Sequence, residues 1–351
     1  YTEAWLPTFV MAKRQKICIF DFFAGTGYDK NGVAGSPIRV LRQISHQKVN
    51  ILQNGTRVHL FLNGYDTKKQ KRQEKFELLQ QACAEYLGQD PDLARCVKLE
   101  FYSEDCATLF GKLLPDVKAH PSLVFLDQNG VKFLADKYLL ELEKLRETDF
   151  LYYASSSYFW RLGETPEFKA HVPLDIQAIK RAGYERVHRS VIEQLRGRLP
   201  KQTPLRLYPF SIRKDQNIFG VIFGATHPLA VDKFLTISWK RNSANGEADF
   251  DIDGEVGCPQ LDMFTPPKIK KVDQFKESVC KKILSGEITC NFELLDYVYA
   301  EGHICTHAKE AMMSLKSKGF VDYEARSPLV TYENVHEKKR LLKYTVLNKG
   351  S

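Results

Sequence analysis

Features that would place the chain in a special class are missing from its sequence. No apolar run approaches the roughly 18 residues of a membrane-spanning helix, and the longest, such as residues 17–24, have the length of a strand. The eight cysteines are scattered and form no CxxC pair, which argues against a secreted disulfide framework and predicts a cytoplasmic protein. An apolar fraction of 43% and a charged fraction of 27% exclude disordered and collagen-like chains.

Common catalytic and metal-binding motifs are absent as well. The sequence contains no GK[ST], so a P-loop nucleotide is disfavoured. It contains no HExxH, GxSxG or EF-hand signature either. His303 and His307 are four residues apart, but His303 precedes Thr306, which we expect to cap the next helix. The two rings therefore lack the helical spacing at which a pair of histidines shares a metal, and no metal site is predicted.

The formal net charge of +8 favours an anionic partner, and the basic residues are unevenly spread. Residues 180–214 contain ten Lys and Arg against two acids, with apolar residues at helical spacings and arginines between them. Such a face predicts contacts with phosphates through Arg189, Arg196 and Arg198. A solvated helix surface explains the pattern equally well, and both interpretations stay open.

Apolar strand-like and helix-like segments alternate through the first two thirds of the chain. Nearly all-apolar strands between helices predict an α/β fold whose mostly parallel sheet is covered on both faces. We expect a Rossmann-like domain over residues 1–242, with a basic helical insertion at about 163–200. Residues 243–270, rich in Asn, Gly, Asp and Pro, are expected to be a linker.

Residues 271–351 show a different pattern. Three amphipathic helices, followed by short strands at 320–324, 329–332 and 342–346, are typical of a winged helix-turn-helix. The third helix would carry Lys309 and Lys316, and the wing would carry Lys338, Lys339 and Arg340. We favour DNA or RNA as the partner of this domain, with protein contacts as the alternative.

The most informative segment is the glycine turn FDFFAGTG at residues 20–27. Asp21 ends the first apolar strand, and Gly25 and Gly27 follow closely, at the strand end where open α/β sheets bind ligands. Lys30 occupies the place of the third glycine of a dinucleotide fingerprint, so a dinucleotide is disfavoured. Ser36 and Pro37 are expected to open the next helix as its cap and first residue.

This turn resembles motif I of S-adenosylmethionine-dependent DNA methyltransferases, D-x-F-A/C-G-x-G. With the GSP that follows, it resembles the three-Cys-motif partner family (TcmP) of bacteria and phages. LVFLDQNG at 123–130, FLYYASSSYFWR at 150–161 and NIFGVIFGATHPLAVDKFLTISWK at 217–240 are similar to later segments of that family. The resemblance spans residues 5–345 or so and implies a Rossmann-like methyltransferase-type core. It also implies a radical-S-adenosylmethionine-like iron–sulfur partner bearing three cysteines.

The resemblance also implies positions for the site residues. S-adenosylmethionine would lie against Asp21, Ala24, Gly25 and Gly27, with Asp105 reaching the adenine. Asn63 stands where a carboxylate normally holds the ribose, and an amide binds a hydroxyl more weakly. Asp127, after the fourth strand, holds the place of the catalytic motif and would orient the acceptor.

The chemistry at that position is not of a familiar kind. Asp127 is followed by Gln-Asn-Gly, without the proline and aromatic residue of amino-methyltransferases, and the chain has no Pro-Cys nucleophile. The aromatic residues at 152–160 would stack on a base or pack as core, and Arg161 beside them is expected to meet an anionic ligand. The chain is therefore a methyltransferase, an inactive nucleic-acid-binding subunit or a protein-binding adaptor.

Overall fold

Strands and helices alternate along the first two thirds of the chain, as the apolar pattern predicts. The computed structural model describes residues 1–127, 134–254 and 270–347. The strands are β1 (Lys16–Asp21), β2 (Arg57–Asn63), β3 (Val97–Tyr102), β4 (Ser122–Leu126), β5 (Thr148–Ser155), β6 (Arg206–Lys214), β7 (Asn217–Ala225), β8 (Val321–Asp322) and β9 (Thr345–Val346).

The helices flank these strands. They are α1 (Thr2–Met11), α2 (Ser36–His46), α3 (Lys48–Gln53), α4 (Lys69–Gly88), α5 (Pro91–Cys96), α6 (Cys106–Ala119), α7 (Asp136–Glu143), α8 (Ser156–Leu162), α9 (Pro166–His171), α10 (Ile176–Ala182), α11 (Val187–Arg198), α12 (Pro228–Arg241), α13 (Lys271–Leu284), α14 (Asn291–Ala300) and α15 (Cys305–Ser317). Among the described residues, no helix has both the length and the apolar character needed to cross a membrane.

Seven strands form one mostly parallel sheet in the order β3-β2-β1-β4-β5-β7-β6. The pairs from β3 to β5 are parallel, and β7 runs antiparallel to β5. Without β7 the order is that of a doubly wound sheet, 3-2-1-4-5-6. The predicted α/β class and Rossmann-like arrangement are therefore confirmed.

Alternate residues of the central strands face two apolar layers. Phe20, Val124 and Tyr152 pack on one face with α6 to α8 and α11, whereas Ile19 and Leu123 pack on the other with α1, α2 and α4. Burial on both faces explains why these strands are nearly continuous apolar runs in the sequence. Near the sheet's centre, buried acids and amides lie at the carboxyl ends of β1 and β2, as Asp21 and Asn63, and near the amino end of β5, as Asp149.

The described chain divides into two compact units. The first contains Tyr1–Leu207 and Asn217–His227, and the second contains Tyr208–Gln216 and the chain from Pro228 onward. We expected the boundary at 243–270, which would leave α12 in the first domain, but α12 belongs to the second unit. Trp239 of α12 donates its indole N–H to the Gly302 carbonyl at 2.9 Å, and this contact within the second unit was not visible in the sequence.

The described part of the expected linker, residues 243–254, packs within the second unit. Asn245 is buried, its side chain accepts hydrogen bonds from two backbone N–H groups and donates to the Phe250 carbonyl. Ala248 pairs with Ser211 in an isolated parallel bridge. A segment poor in apolar residues is held here by amide hydrogen bonds, which composition does not reveal. Residues 255–269 of the expected linker lie outside the described part.

The end of the chain has the expected three helices, α13 to α15, followed by a short ribbon. β8 and β9 pair antiparallel over two residues each, while residues 329–332 form no strand and Glu333–Glu337 form one π-helical turn. The expected strand at 329–332 is therefore wrong. Lys338, Lys339 and Arg340 follow this helical turn instead of lying on a hairpin.

Asn291 is the first residue of α14 and does not cap it. The helix is capped by Cys290 without a side-chain hydrogen bond, and Asn291 is fully buried. Its amide donates to the carbonyls of Leu329 and Arg340 and accepts from the N–H of Leu342. The side chain therefore connects α14 to the segment that leads into β9, and it pairs backbone groups that no strand pairs there.

His303 and His307 lie against aromatic rings inside the second unit. Their Nδ1 atoms are 3.0 Å apart, and His303 stacks on Phe275 at 3.9 Å between ring centroids. Burial lowers the pKa of His303 to about 2 and that of His307 to about 4. Both rings are therefore neutral at physiological pH, and they serve as polar members of an aromatic core.

Candidate active site at the carboxyl ends of β1 and β4

The strand order reverses between β1 and β4, and two acids stand there. The chain proceeds from β1 to β2 and β3 on one side and from β4 to β5 on the other. In open α/β sheets, ligands bind in the crevice outside the strand ends at such a reversal. Asp21 is the last residue of β1, and Asp127 directly follows β4. The structure thus brings the predicted cofactor-binding acid and the predicted catalytic acid to the same end of the sheet, close enough for the charge of Asp127 to raise the pKa of Asp21.

Asp21 is a buried carboxylate with two hydrogen-bond donors. It is 3% exposed, and it accepts from the Ser36 hydroxyl at 2.5 Å and from the Phe23 N–H at 3.1 Å. Burial raises the pKa of Asp21 to about 6, the two hydrogen bonds oppose that rise, and the charge of Asp127 adds to it. A positively charged ligand beside both carboxylates would relieve this cost.

Ser36 has a different role from the one expected. Gly35 occupies the cap position of α2, and Ser36 is the first helical residue. Its hydroxyl therefore points to Asp21 instead of the first turn of the helix. The GSP string remains informative, because it places a hydroxyl donor fifteen residues along the chain from the acid it serves.

The glycine turn is a small hairpin between β1 and α2. Tyr28 pairs antiparallel with Ala34, and the Gly35 N–H donates to the Gly27 carbonyl at 2.7 Å. The side chain of Asp29 accepts from two backbone N–H groups inside the hairpin. These bonds give the turn a defined shape before any ligand arrives.

The two glycines predicted for cofactor binding serve different purposes. Both have positive φ, +65° at Gly25 and +85° at Gly27. A Cβ on Gly27 would lie 2.6 Å from the Cβ of Ala82 in α4, so this glycine allows the turn to approach the helix. A Cβ on Gly25 would meet nothing within 4 Å, so the backbone there is open to a ligand.

The side chain of Asn63, at the end of β2, is hydrogen-bonded to backbone groups of the protein. Its side-chain NH2 donates to the carbonyls of Phe22 at 3.2 Å and Glu104 at 3.0 Å, and its oxygen accepts from the Glu104 N–H at 3.1 Å. Its backbone carbonyl accepts from the N–H of buried Ala24. The amide thus joins the ends of three strands, and both hydrogens of its NH2 group are donated to backbone carbonyls. Its predicted role in cofactor binding is not supported by this geometry.

Asp105 lies on the exposed turn after β3 and caps α6. Its carboxylate accepts from the N–H groups of Ala107 at 3.0 Å and Thr108 at 3.4 Å. The expected contact with an adenine therefore competes with a structural task. An acid after a strand and before a helix is as readily explained by capping as by ligand binding.

The aromatic residues after β4 divide between core and surface. Tyr152 and Phe159 are fully buried, which supports the core interpretation for these two, whereas Tyr153 is 38% exposed and stacks on Phe219. The Tyr152 hydroxyl and the Ser156 hydroxyl, both buried, have no hydrogen-bond partner in the described part of the chain. Burial and the charge of Asp127 raise the pKa of Tyr152, Tyr153 and Tyr158, so this carboxylate lies near both the buried and the exposed members of the aromatic group.

We expect Tyr152→Phe to leave the free energy of unfolding unchanged or to raise it by about 1 kcal/mol. The substitution removes a buried hydroxyl without a described partner, and an unsatisfied polar group costs stability. Tyr299→Phe is the matched control, because that hydroxyl donates to Asp232 at 2.9 Å and its removal should cost roughly 1–3 kcal/mol. Urea unfolding measures both. Equal losses in the two variants would show that the Tyr152 hydroxyl has a partner.

The arginines predicted to contact phosphates in residues 180–214 are largely engaged inside the first unit. Arg198 is 16% exposed at its side chain and donates to Asp136 at 2.7 Å. Arg196 donates to the Leu207 carbonyl, and Arg189 is half-buried. Arg161 is exposed at the end of α8. The basic face of α11 is thus in part a set of internal contacts, which the helical pattern did not show.

The basic side chains of the second unit that were predicted to contact nucleic acid also divide into paired and exposed ones. Lys316 donates to the Tyr323 carbonyl at 2.6 Å and pairs with Asp322 at 2.9 Å, while Lys338 pairs with Glu333 at 2.5 Å. Lys309, Lys339 and Arg340 are exposed, and their side chains meet no acid among the described residues. Three of the five predicted cations therefore remain available to an anionic partner.

A basic cluster that was not among the predicted sites lies at the start of α4. Lys68, Lys69 and Lys71 are exposed and have no acidic partner in the described part of the chain. The string KKQKRQEK at 68–75 holds five basic residues and one acid, so the signal was present in the sequence. This string does not by itself predict a binding site, because charged residues at the end of a helix are usually only solvated surface.

No family model matches the sequence, and no curated protein matches it either. The function must therefore be inferred from the fold and from the residues at its strand ends.

Proposed function

We propose that the chain is a methyltransferase-fold protein that binds S-adenosylmethionine or a related nucleoside at the crevice beside Asp21. The observation that carries the proposal is the meeting of Asp21, Asp127 and the open Gly25 backbone where the strand order reverses. A dinucleotide or a bare phosphate fits poorly, because two carboxylates repel anions. A cationic ligand of modest size fits both the charge and the glycine turn.

The residues fit one end of S-adenosylmethionine better than the other. Its sulfonium and ammonium groups match the carboxylates of Asp21 and Asp127, and Gly25 offers open backbone for close approach. The ribose end lacks its usual acid, because Asn63 is committed to three backbone groups. When bound, S-adenosylmethionine supplies an electrophilic methyl group. In this proposal Asp127 would orient the acceptor, and residues 128–130 of the compared motif lie outside the described part.

Nucleic acid is the proposed macromolecular partner. In support, α13 to α15 and the β8-β9 ribbon fit a winged helix-turn-helix whose third helix carries exposed Lys309. Lys339 and Arg340, exposed beyond the preceding helical turn, would contact phosphates. The motif resemblance to the three-Cys-motif partner family adds a radical-S-adenosylmethionine-like iron–sulfur protein as a proposed partner.

We expect Gly25→Ala to abolish binding of S-adenosylmethionine at small cost in stability. The new methyl group meets no atom within 4 Å, so the cost is the positive φ, roughly 1–2 kcal/mol. Gly32→Ala is the matched control, because Gly32 also has positive φ and open space but lies at the exposed tip of the hairpin. Isothermal calorimetry with S-adenosylmethionine and its demethylated product measures binding, and urea unfolding measures stability. Equal affinities for the two variants would contradict the proposed site.

An inactive binding subunit is the second candidate. Asn63 favours it, because a methyltransferase-type site without a ribose acid has lost part of its cofactor contact. Wild-type protein that is folded but gives no heat with either nucleoside, and yet binds nucleic acid, would support this candidate over the first. A protein-only adaptor would bind neither.

A further inference from the structure

The exposed lysines at the start of α4 lack the partners that other cations of the first unit have. Within the same turn, Lys75 pairs with Asp66 at 2.5 Å, and Arg72 donates to the Asp66 carbonyl and lies 4.4 Å from the Tyr65 ring. Asp66 therefore already has basic partners. The side chains of Lys68, Lys69 and Lys71 make no contact with a described acid, although the Lys68 backbone N–H donates to the Asp66 carboxylate at 3.0 Å.

These charges oppose the stability of the helix that carries them. The amino-terminal end of a helix bears a partial positive charge, so lysines in its first turn are unfavourable by a few tenths of a kcal/mol each. α4 has no acid in its first turn and no side-chain cap to offset them. Apart from the attraction between Lys71 and Asp66, the fold gains little from these side chains, and an anionic partner would supply the negative charge that the helix start lacks.

A cleft joins the cluster to the glycine turn. It has a volume of about 770 Å³ and lies between the hairpin and α4, with Thr26, Lys30, Lys71 and Lys75 among its lining residues. Lys30 is exposed at the hairpin and faces no described acid in contact. Thr26 stands between the two glycines of the proposed cofactor site. Asp29, Glu74 and Glu85 line the same cleft, so the cleft carries both signs of charge. The excess of positive charge is that of Lys68 and Lys69, which lie next to its lining at the start of α4.

We propose that Lys30, Lys68, Lys69 and Lys71 bind the phosphate backbone of a nucleic acid at the start of α4, beside the glycine turn that follows Asp21. The inference rests on the proposed function, since it names the surface by which the acceptor is bound beside the proposed site. It places the contact on α4 and the hairpin, where cations are exposed, and not on α11, where Arg196 and Arg198 are engaged internally. Phosphate contacts of this kind position a strand without reading its sequence.

The test is fluorescence anisotropy with a labelled single-stranded DNA of mixed sequence, over a range of salt concentrations. Replacing Lys68, Lys69 and Lys71 by Gln should weaken binding about 10-fold or more at low salt. The slope of log affinity against log salt should become shallower by about 2, since each lost phosphate contact removes about 0.7 for a single strand. The control replaces Lys13, Lys169 and Lys201 by Gln, which are exposed lysines elsewhere in the first unit, and should change affinity less than about 2-fold.

Further arms separate this surface from the others. RNA and duplex DNA of the same sequence identify the nucleic acid, and the same loss with either supports the inference. A variant with Lys309, Lys339 and Arg340 replaced by Gln tests the second unit. Loss in that variant alone, or no binding of any oligonucleotide to the wild type, overturns the α4 surface. Calorimetry with S-adenosylmethionine on the α4 variant should give unchanged affinity, so failure of the surface is distinguishable from failure of the cofactor site.

Discussion

Asn63→Asp is expected to lower the free energy of unfolding by about 3–5 kcal/mol, a large part of the roughly 5–15 kcal/mol by which folded proteins are stable. The wild-type amide donates to the Phe22 and Glu104 carbonyls and is 2% exposed. A carboxylate has no hydrogen to donate, so it would face two carbonyl oxygens in a buried place. Both carbonyls would lose their side-chain donor as well.

The size of the loss distinguishes two roles for this position. If Asn63 were a weakened ribose ligand, an acid would restore the contact and tighten binding of S-adenosylmethionine. Urea unfolding and calorimetry of Asn63→Asp decide between the roles. Asn31→Asp is the control, because Asn31 is exposed on the hairpin and only its backbone N–H is bonded there. A stable Asn63→Asp protein with higher affinity would contradict the structural role.

Asn63 also shows what the sequence reveals about a site. The end of β2 was located correctly, because an apolar run that stops at a polar residue marks the end of a strand. The function of the side chain depends on the Glu104 backbone, which lies 41 residues further along the chain. A contact between residues so far apart in the sequence produces no periodic pattern of residue types. The position was therefore predictable, and its hydrogen bonds were not.

For the fold, too, features set by local sequence were predictable, and features set by distant contacts were not. Local apolar runs predicted the alternation of strands and helices and the mostly parallel sheet, since burial on both faces gives strands a strongly apolar composition. The place of β7 between β5 and β6, and its reversed direction, depend on pairing between distant strands. The same holds for charge. Arg198 looked free on its helix, yet its partner Asp136 is 62 residues away in the sequence.

Asp21→Asn is expected to stabilise the folded protein at neutral pH while it weakens the proposed cofactor site. The pKa of Asp21 is raised from its usual 3.8 to about 6, so the folded protein binds this proton more tightly than the unfolded chain does. Folding then takes up a proton between about pH 4 and pH 6, and the wild type loses stability as the pH rises through that window. At about 1.4 kcal/mol per unit, the loss above pH 6 is on the order of 3 kcal/mol.

An amide at this position carries no charge, so it avoids that cost. It can still accept from the Phe23 N–H and donate to the Ser36 oxygen, and it has nearly the size of the acid. The difference in unfolding free energy between Asp21→Asn and the wild type should be near zero below pH 4 and should grow through pH 6. The buried His188, whose pKa is lowered to about 4, changes stability in the opposite direction but equally in both proteins.

The measurement is urea unfolding of both proteins at several pH values, together with calorimetry at neutral pH. Asp116→Asn is the control, because that acid pairs with Lys16 at a partly exposed position and should show no gain above pH 6. Binding of S-adenosylmethionine should weaken in Asp21→Asn and persist in Asp116→Asn. A stabilised Asp21→Asn protein with full affinity would separate the buried charge from ligand binding and would contradict the proposed site. Gain of stability together with loss of binding would mean that this carboxylate is retained, at a cost to the fold, for a cationic ligand.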